Sequence, residues 1–156
     1  MIYIVISTLI SYLLGSINTA VIVSKKRFGK DIRNEGSGNA GATNTLRIFG
    51  KKAAAFVFAA DFIKGLIAVM IAKLLVSFFS APYETILVAG FFAQLGHCFP
   101  VFFKFKGGKG VATAAGAAAG AATGAAATAV PPMTISTAPV STVEPLATGT
   151  AVTTPE

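Results

Sequence analysis

The sequence predicts an all-α fold, a polytopic helical bundle of the membrane, on three observations. Three apolar stretches, residues 2–23, 53–79 and 85–103, carry almost no charge. Hydrophobic residues make up 54% of the chain and charged ones 12%, against about 25% charged in soluble domains. The basic residues gather between the apolar stretches instead of being spread along the chain. A length of 156 residues suggests one domain. That domain is expected over residues 1–130, with a tail over 131–156.

The first stretch, Ile2 to Val23, has no charged side chain and as one helix would reach about 33 Å, enough to cross a bilayer. A secretory signal would place positive charge before a shorter apolar core. Here Lys25, Lys26 and Arg27 follow the run, so a retained span is expected. The second stretch, Ala53 to Phe79, is interrupted by Asp61, Lys64 and Lys73. Asp61 and Lys64 are three apart and share a helix face. Charges at that depth need a partner or a wet cavity, and an ion pair facing the bundle interior is expected. Lys73 is expected to snorkel. Pro82 and Tyr83 suit a turn into the third stretch, Thr85 to Phe103. A fourth candidate span covers 111–130 and holds only Val, Ala, Thr and Gly. Gly116, Gly120 and Gly124 would form a smooth stripe on a helix, suited to close backbone packing. Plain low complexity is the alternative. Residues 131–156 read as a disordered tail rich in Pro and Thr.

Residues 24–52 hold eight Lys or Arg, and 104–109 add Lys104, Lys106 and Lys109, so two loops carry eleven of the thirteen basic residues. With three spans both loops fall on one side. The positive-inside rule makes that side cytoplasmic and the N-terminus external. Lys25, Lys26, Arg27, Lys51 and Lys52 need no further role than setting topology and attracting anionic headgroups. Cys98 is the sole cysteine, so neither an internal disulfide nor a cysteine metal cage is available.

The segment "GSGNAG", residues 36–41, fits the dinucleotide pattern G-x-G-x-x-G. That pattern needs a buried strand before it, and "SKKRFGKDIRNE" is no such strand. "GGKG", residues 107–110, is not a Walker motif: Gly110 stands where Ser or Thr should bind magnesium, and Phe103 where the first Gly belongs. What the loops do offer is glycine-rich backbone beside fixed positive charge. Glycine lets backbone N–H groups approach an anion, Arg47 can clamp phosphate oxygens in a fork, and lysines act as point charges. One or more phosphate sites at a membrane face are therefore expected.

"GSGNAGATNTLR", followed by "DFIKG" and "GHCFPVFFKFKGGKGVAT", with "LLGSIN" near the start, resembles the bacterial acyl-phosphate-dependent glycerol-3-phosphate acyltransferases over residues 1 to about 116. Members of that family are integral inner-membrane enzymes. They transfer a fatty acyl group from acyl phosphate to glycerol 3-phosphate, giving lysophosphatidic acid and phosphate at the first acylation of phospholipid synthesis. The resemblance implies catalytic roles for Arg47, Lys109 and Ser37. It implies phosphate binding by Gly38, Asn39, Gly41, Thr43, Asn44, Lys106, Gly107, Gly108 and Gly110. His97, Asp61 and Lys64 are further candidates, each with a structural reading beside the functional one. Ser16 and Asn18 match a family motif but equally suit helix packing, and stand outside the expected site. The expected partners are acyl phosphate, glycerol 3-phosphate and membrane lipids, with no nucleic acid, cofactor or metal. A substrate already activated by a phosphate leaving group needs positioning and fixed charge more than a covalent nucleophile. The competing His-x4-Asp chemistry is absent locally, because Phe102 stands five positions after His97 and no acidic residue lies between Glu84 and Glu144.

Beyond about Gly116 the chain departs from the family. The further spans of large apolar residues and a C-terminal motif with His and Asn are not found. Two other readings stay open on that account: an inactive, truncated or frameshifted membrane fragment that at most binds anions, and a small helical membrane protein with a structural or transport role.

Overall fold

The computed structural model describes residues 2–125. The end of the fourth candidate span, 126–130, and the tail expected over 131–156 lie outside the described residues. Among the described residues six α-helices follow in order: α1 Ile2–Gly15, α2 Thr19–Phe28, α3 Ala42–Phe49, α4 Lys51–Phe79, α5 Glu84–Cys98 and α6 Val111–Ala125. Among the described residues there is no strand. Three stretches, Ile2–Phe28, Lys51–Phe79 and Glu84–Phe103, are long and apolar enough to cross a membrane. Large apolar side chains such as Leu9, Phe56, Phe78, Leu87 and Phe91 stand half or more exposed on the helix flanks. A bundle whose outside is this apolar has lipid as its solvent, and the chain is a multi-pass membrane protein.

One expectation needs correcting. The first span is not one helix. It breaks between Gly15 and Thr19, where the Asn18 side chain accepts the Val21 N–H at 3.1 Å. In an unbroken helix that N–H would bond the Ile17 carbonyl four residues back. Asn18 takes the donor, and the freed Ile17 carbonyl accepts from Lys64 Nζ at 2.7 Å. Unwound backbone at this depth is tolerated only when its polar groups are satisfied from within the protein, and Lys64 does this.

The third apolar stretch reaches Phe103 as expected, but it is α-helical only to Cys98. Pro100 cannot continue a helix, and a 3-10 turn over Val101–Phe103 follows. Lys73 reaches the neighbouring helix. Its ammonium donates to the Ala121 carbonyl at 3.2 Å and to Thr123 Oγ1 at 3.3 Å, tying α4 to α6.

The helices pack through small residues. A Cβ on Gly116 would overlap the Phe62 carbonyl, and one on Gly65 the Thr113 carbonyl, so α4 and α6 touch backbone to backbone. Gly120 sits against Val69. The expected stripe is therefore a packing surface at these two positions. Between α1 and α5, Gly15 faces the Ala93 carbonyl and Gly96 the Tyr12 carbonyl in the same manner. Apolar burial between helices drives little association inside lipid, so close packing of this kind carries the contact.

Two apolar clusters organise the interior. One joins Val69, Ala72, Ile86, Ala89 and Ala117 of α4, α5 and α6. The other joins Ala20, Val21 and Val57 to the loop residues Ile32 and Ala40. The second cluster is what fastens the first basic loop to the helix ends.

Candidate functional site

The first basic loop is a folded unit. Asn44, on α3, is buried, and its carboxamide is engaged on both ends. Oδ1 accepts the Ser37 N–H at 3.0 Å, while Nδ2 donates to the carbonyls of Glu35 and Ile32 at 2.9 and 3.3 Å. Gly36 and Gly38 adopt the left-handed φ values of +57° and +70° that this tight path requires. Arg33 extends the loop toward its neighbour. Its guanidinium pairs with Asp31 at 2.7 Å and donates to the Phe103 carbonyl at 2.8 Å. Hydrogen bonding from Arg33 holds the Asp31 carboxyl well below the usual carboxylate range, and Asp31 in turn keeps the Arg33 guanidinium protonated.

The second basic loop folds back onto the end of α5. The N–H groups of Gly107 and Gly108 donate to the carbonyls of Cys98 and His97 at 3.1 and 3.2 Å. A side chain at Gly107 would overlap the His97 carbonyl. One at Gly108 would overlap both the His97 ring and the Ala40 carbonyl of the first loop. The same Ala40 carbonyl accepts from Asn18 Nδ2 at 3.4 Å. Glycine at 108 is thus what lets the two loops touch.

Where they meet there is a cleft of about 180 Å³, lined from the first loop and α3 by Asn39, Gly41, Ala42 and Thr43. Lys109, Gly110, Val111 and Ala112 line it from the second loop and α6, and Phe58, Asp61 and His97 form its inner wall. The first turns of two helices, α3 and α6, open on this space. First-turn N–H groups lack intrahelical acceptors and carry the positive end of the helix dipole. Together with the Lys109 ammonium they make the cleft suited to an anion.

Beneath the cleft lies a buried polar group. Lys64 Nζ is 2.8 Å from Asp61 Oδ1, 2.9 Å from His97 Nδ1 and 2.7 Å from the Ile17 carbonyl. Thr19 Oγ1 donates to Asp61 Oδ1 at 3.3 Å, and His97 Nδ1 stands 3.6 Å from the same oxygen. The expected Asp61–Lys64 ion pair is present and faces the bundle interior. Sequence proximity alone missed the rest: the acidic neighbour of His97 comes from α4, not from a position nearby in the chain.

The expected site residues thus divide. Asn39, Gly41, Thr43, Lys109, Gly110, His97 and Asp61 come together in one cleft. Asn44, Gly107 and Gly108 shape the loops around it, with Asn44 spent on backbone partners. Ser37, Gly38, Arg47 and Lys106 are exposed and do not line the cleft; Arg47 stands one turn beyond Thr43 on the same side of α3. Lys64 sits behind the wall. Asn18, set aside as a packing residue, and Arg33, counted only as charge, both position the loops. Their partners lie 22 and 70 positions away, beyond any local signal. Lys26, Arg27 and Lys52 border a separate apolar pocket of about 600 Å³ with Ile22, Phe28, Phe49 and Phe56. Among the described residues no group of three His, Cys, Asp or Glu side chains is placed to hold a metal ion.

Comparison with known proteins gives the family. The profile of the family described as Glycerol-3-phosphate acyltransferase matches residues 5–155. The glycerol-3-phosphate acyltransferase of Thermoanaerobacter sp. (strain X514) is 53% identical over 114 residues, which are 73% of this chain and 55% of that protein. The Coxiella burnetii protein of the same name is 53% identical over 112 residues, 72% of this chain and 56% of its own. Among solved structures, the glycerol 3-phosphate form of PlsY, an integral membrane glycerol 3-phosphate acyltransferase, superposes with a TM-score of 0.69 at 43% identity, covering 80% of this chain and 60% of that one. Its lysophosphatidic acid form gives a TM-score of 0.65 at 39% identity, with 80% and 59% covered. The chain spans about half the length of the curated relatives it matches. On the profile match and these identities, the chain belongs to the glycerol-3-phosphate acyltransferase family.

Proposed function

We propose that this chain carries the substrate-phosphate half of an acyltransferase site and moves a fatty acyl group from acyl phosphate to glycerol 3-phosphate. The observation that carries this is the convergence of two glycine-rich loops, Lys109 and two helix N-termini on one cleft. In the reaction, the glycerol 3-phosphate hydroxyl oxygen attacks the acyl carbonyl carbon. The bond to the phosphate oxygen breaks, inorganic phosphate leaves, and the hydroxyl proton passes to a substrate phosphate oxygen. Both substrates are anionic and repel each other. Lys109 and the first-turn N–H groups of α3 and α6 offset that repulsion and the charge that grows on the leaving group. Arg47, exposed one helical turn beyond Thr43, is the bidentate clamp for a phosphate at the mouth of the cleft. Asn44 acts through the loop path, holding the backbone N–H of Ser37.

In this reading both loops face the cytoplasm of a bacterial inner membrane, with the N-terminus outside, as the positive-inside rule requires. The relatives named for glycerol-3-phosphate acyltransferase support the acceptor; the fixed positive charge of the cleft, suited to a phosphate leaving group, supports the acyl phosphate donor. The test is direct. Purified chain in lipid vesicles, given acyl phosphate and radiolabelled glycerol 3-phosphate, forms labelled lysophosphatidic acid, and Lys109→Ala loses that activity. No product from correctly inserted wild-type chain contradicts the reading.

A further inference from the structure

His97 has a carboxylate near Nδ1 and lines the cleft, which resembles the layout of a His–Asp general base. The distances argue otherwise. Asp61 Oδ1 is 3.6 Å from His97 Nδ1, beyond a hydrogen bond. Lys64 Nζ is between them in effect, 2.9 Å from Nδ1 and 2.8 Å from Oδ1.

An ammonium has three N–H donors and no acceptor. Lys64 has three near neighbours: the Ile17 carbonyl, Asp61 Oδ1 and His97 Nδ1. The first two are acceptors under any assignment. For all three donors to be used, Nδ1 must present its lone pair. A neutral imidazole with an accepting Nδ1 carries its proton on Nε2. Nε2 is the nitrogen that lies against Gly108, at the place where a side chain would overlap it. His97 lines the cleft, and among the described residues no hydrogen bond engages its Nε2.

We infer that Lys64 is a positioning residue that fixes His97 as its Nε2–H tautomer, so that His97 offers the cleft a hydrogen-bond donor and not a general base. The same ammonium closes the break in the first span through Ile17. One side chain therefore couples the shape of the broken helix to the polarity of the cleft wall. An N–H donor here suits an anionic or developing oxyanion oxygen, whereas a lone pair would repel one. The use of that donor on substrate rests on the proposed acyltransferase reading; the tautomer itself does not.

The chain has a single histidine, so protein labelled with ¹⁵N-histidine gives one pair of ring-nitrogen resonances. The wild-type full chain in lipid at neutral pH is expected to show a pyridine-type Nδ1 and a pyrrole-type Nε2. A protonated Nδ1, or an imidazolium with two protonated nitrogens, overturns the inference. Lys64→Met is expected to reverse the pattern, because Nδ1–H then turns to Asp61. Asp61→Asn is expected to keep it, because Lys64 still donates. If Lys64→Met keeps the wild-type pattern, or Asp61→Asn reverses it, Lys64 is not the group that sets the tautomer. Where Lys64→Met fails to fold, the wild-type and Asp61→Asn spectra still decide. Adding glycerol 3-phosphate separates the two readings: a shift of Nε2 alone is expected. An unmoved Nε2 in a chain with the expected tautomer counts against the substrate assignment of the cleft and leaves the role of Lys64 standing.

Discussion

Individual side chains in this protein do unlike jobs that their residue types alone do not reveal. Lys109 was expected to act in catalysis and Asn44 to bind phosphate. Lys109 does line the cleft, but the Asn44 carboxamide is spent on three backbone groups of its own loop. The distinction was illegible in the sequence because both residues lie in glycine-rich stretches of the same appearance. It yields two contrasting expectations. Lys109→Ala removes a charge that lines the cleft, and on the proposed reading steady-state kinetics should show kcat falling about 10²–10³-fold, as for loss of one donor to a developing anion, with the melting temperature unchanged. Asn44→Ala leaves the Ser37 N–H without its partner and removes one of two bonds to each of the Glu35 and Ile32 carbonyls, which keep those from the Gly38 and Glu35 N–H groups, at a cost of about 1–3 kcal/mol for the unsatisfied group. Thermal unfolding in detergent should show that loss, and limited proteolysis should show cleavage of the loop between residues 35 and 41. Cleavage resistance equal to wild type would mean that Asn44 is not what holds the loop.

At the scale of elements, what could be read in advance was whatever repeats along one helix. The three apolar stretches, the i, i+3 spacing of Asp61 and Lys64, and the four-residue spacing of Gly116 and Gly120 all depend on local geometry, and the fold shows each. What could not be read depends on contacts between elements. The break after Gly15 is driven by Asn18 taking the Val21 N–H and is made tolerable by Lys64 from another helix; hydropathy along the chain is blind to both. The glycine contacts between α4 and α6 make a sharp prediction. Gly116→Ala puts a methyl group into the Phe62 carbonyl and should lower stability by about 1–3 kcal/mol, the usual cost of overpacking. Ala118→Leu, at an exposed α6 position, should cost far less in the same unfolding experiment. The loop junction has a pH signature. Arg33 depresses Asp31 from its ordinary value of 3.8, so the folded state binds the Asp31 proton less readily than the unfolded chain. The resulting stability is fully present above the unfolded value and is lost as pH falls through the depressed folded one. Unfolding followed from neutral pH into the acid range should lose part of its steepness below about 4 in Asp31→Asn. An acid limb identical to wild type would show that the Asp31–Arg33 pair contributes nothing there.

For the molecule as a whole, the informative fact is that two segments more than sixty positions apart in the chain close on one small space at one end of the bundle. Their kinship was legible as composition, since both combine glycine with cations and three spans return the chain to the same side. Their contact was not, because it runs through Ala40, Gly108 and Arg33, none of which stands out in the sequence for its partner. The central claim is that these two loops form one anion cleft on one face of the membrane. Single-cysteine chains carrying Cys98→Ser with either Ala42→Cys or Ala112→Cys place a thiol on each wall without touching Lys109, Arg47 or His97. In sealed vesicles of uniform orientation, a membrane-impermeant maleimide is expected to label both positions from the same side, and glycerol 3-phosphate is expected to slow both reactions over the same concentration range. Labelling from opposite sides, or protection of one wall without the other, would contradict a shared cleft.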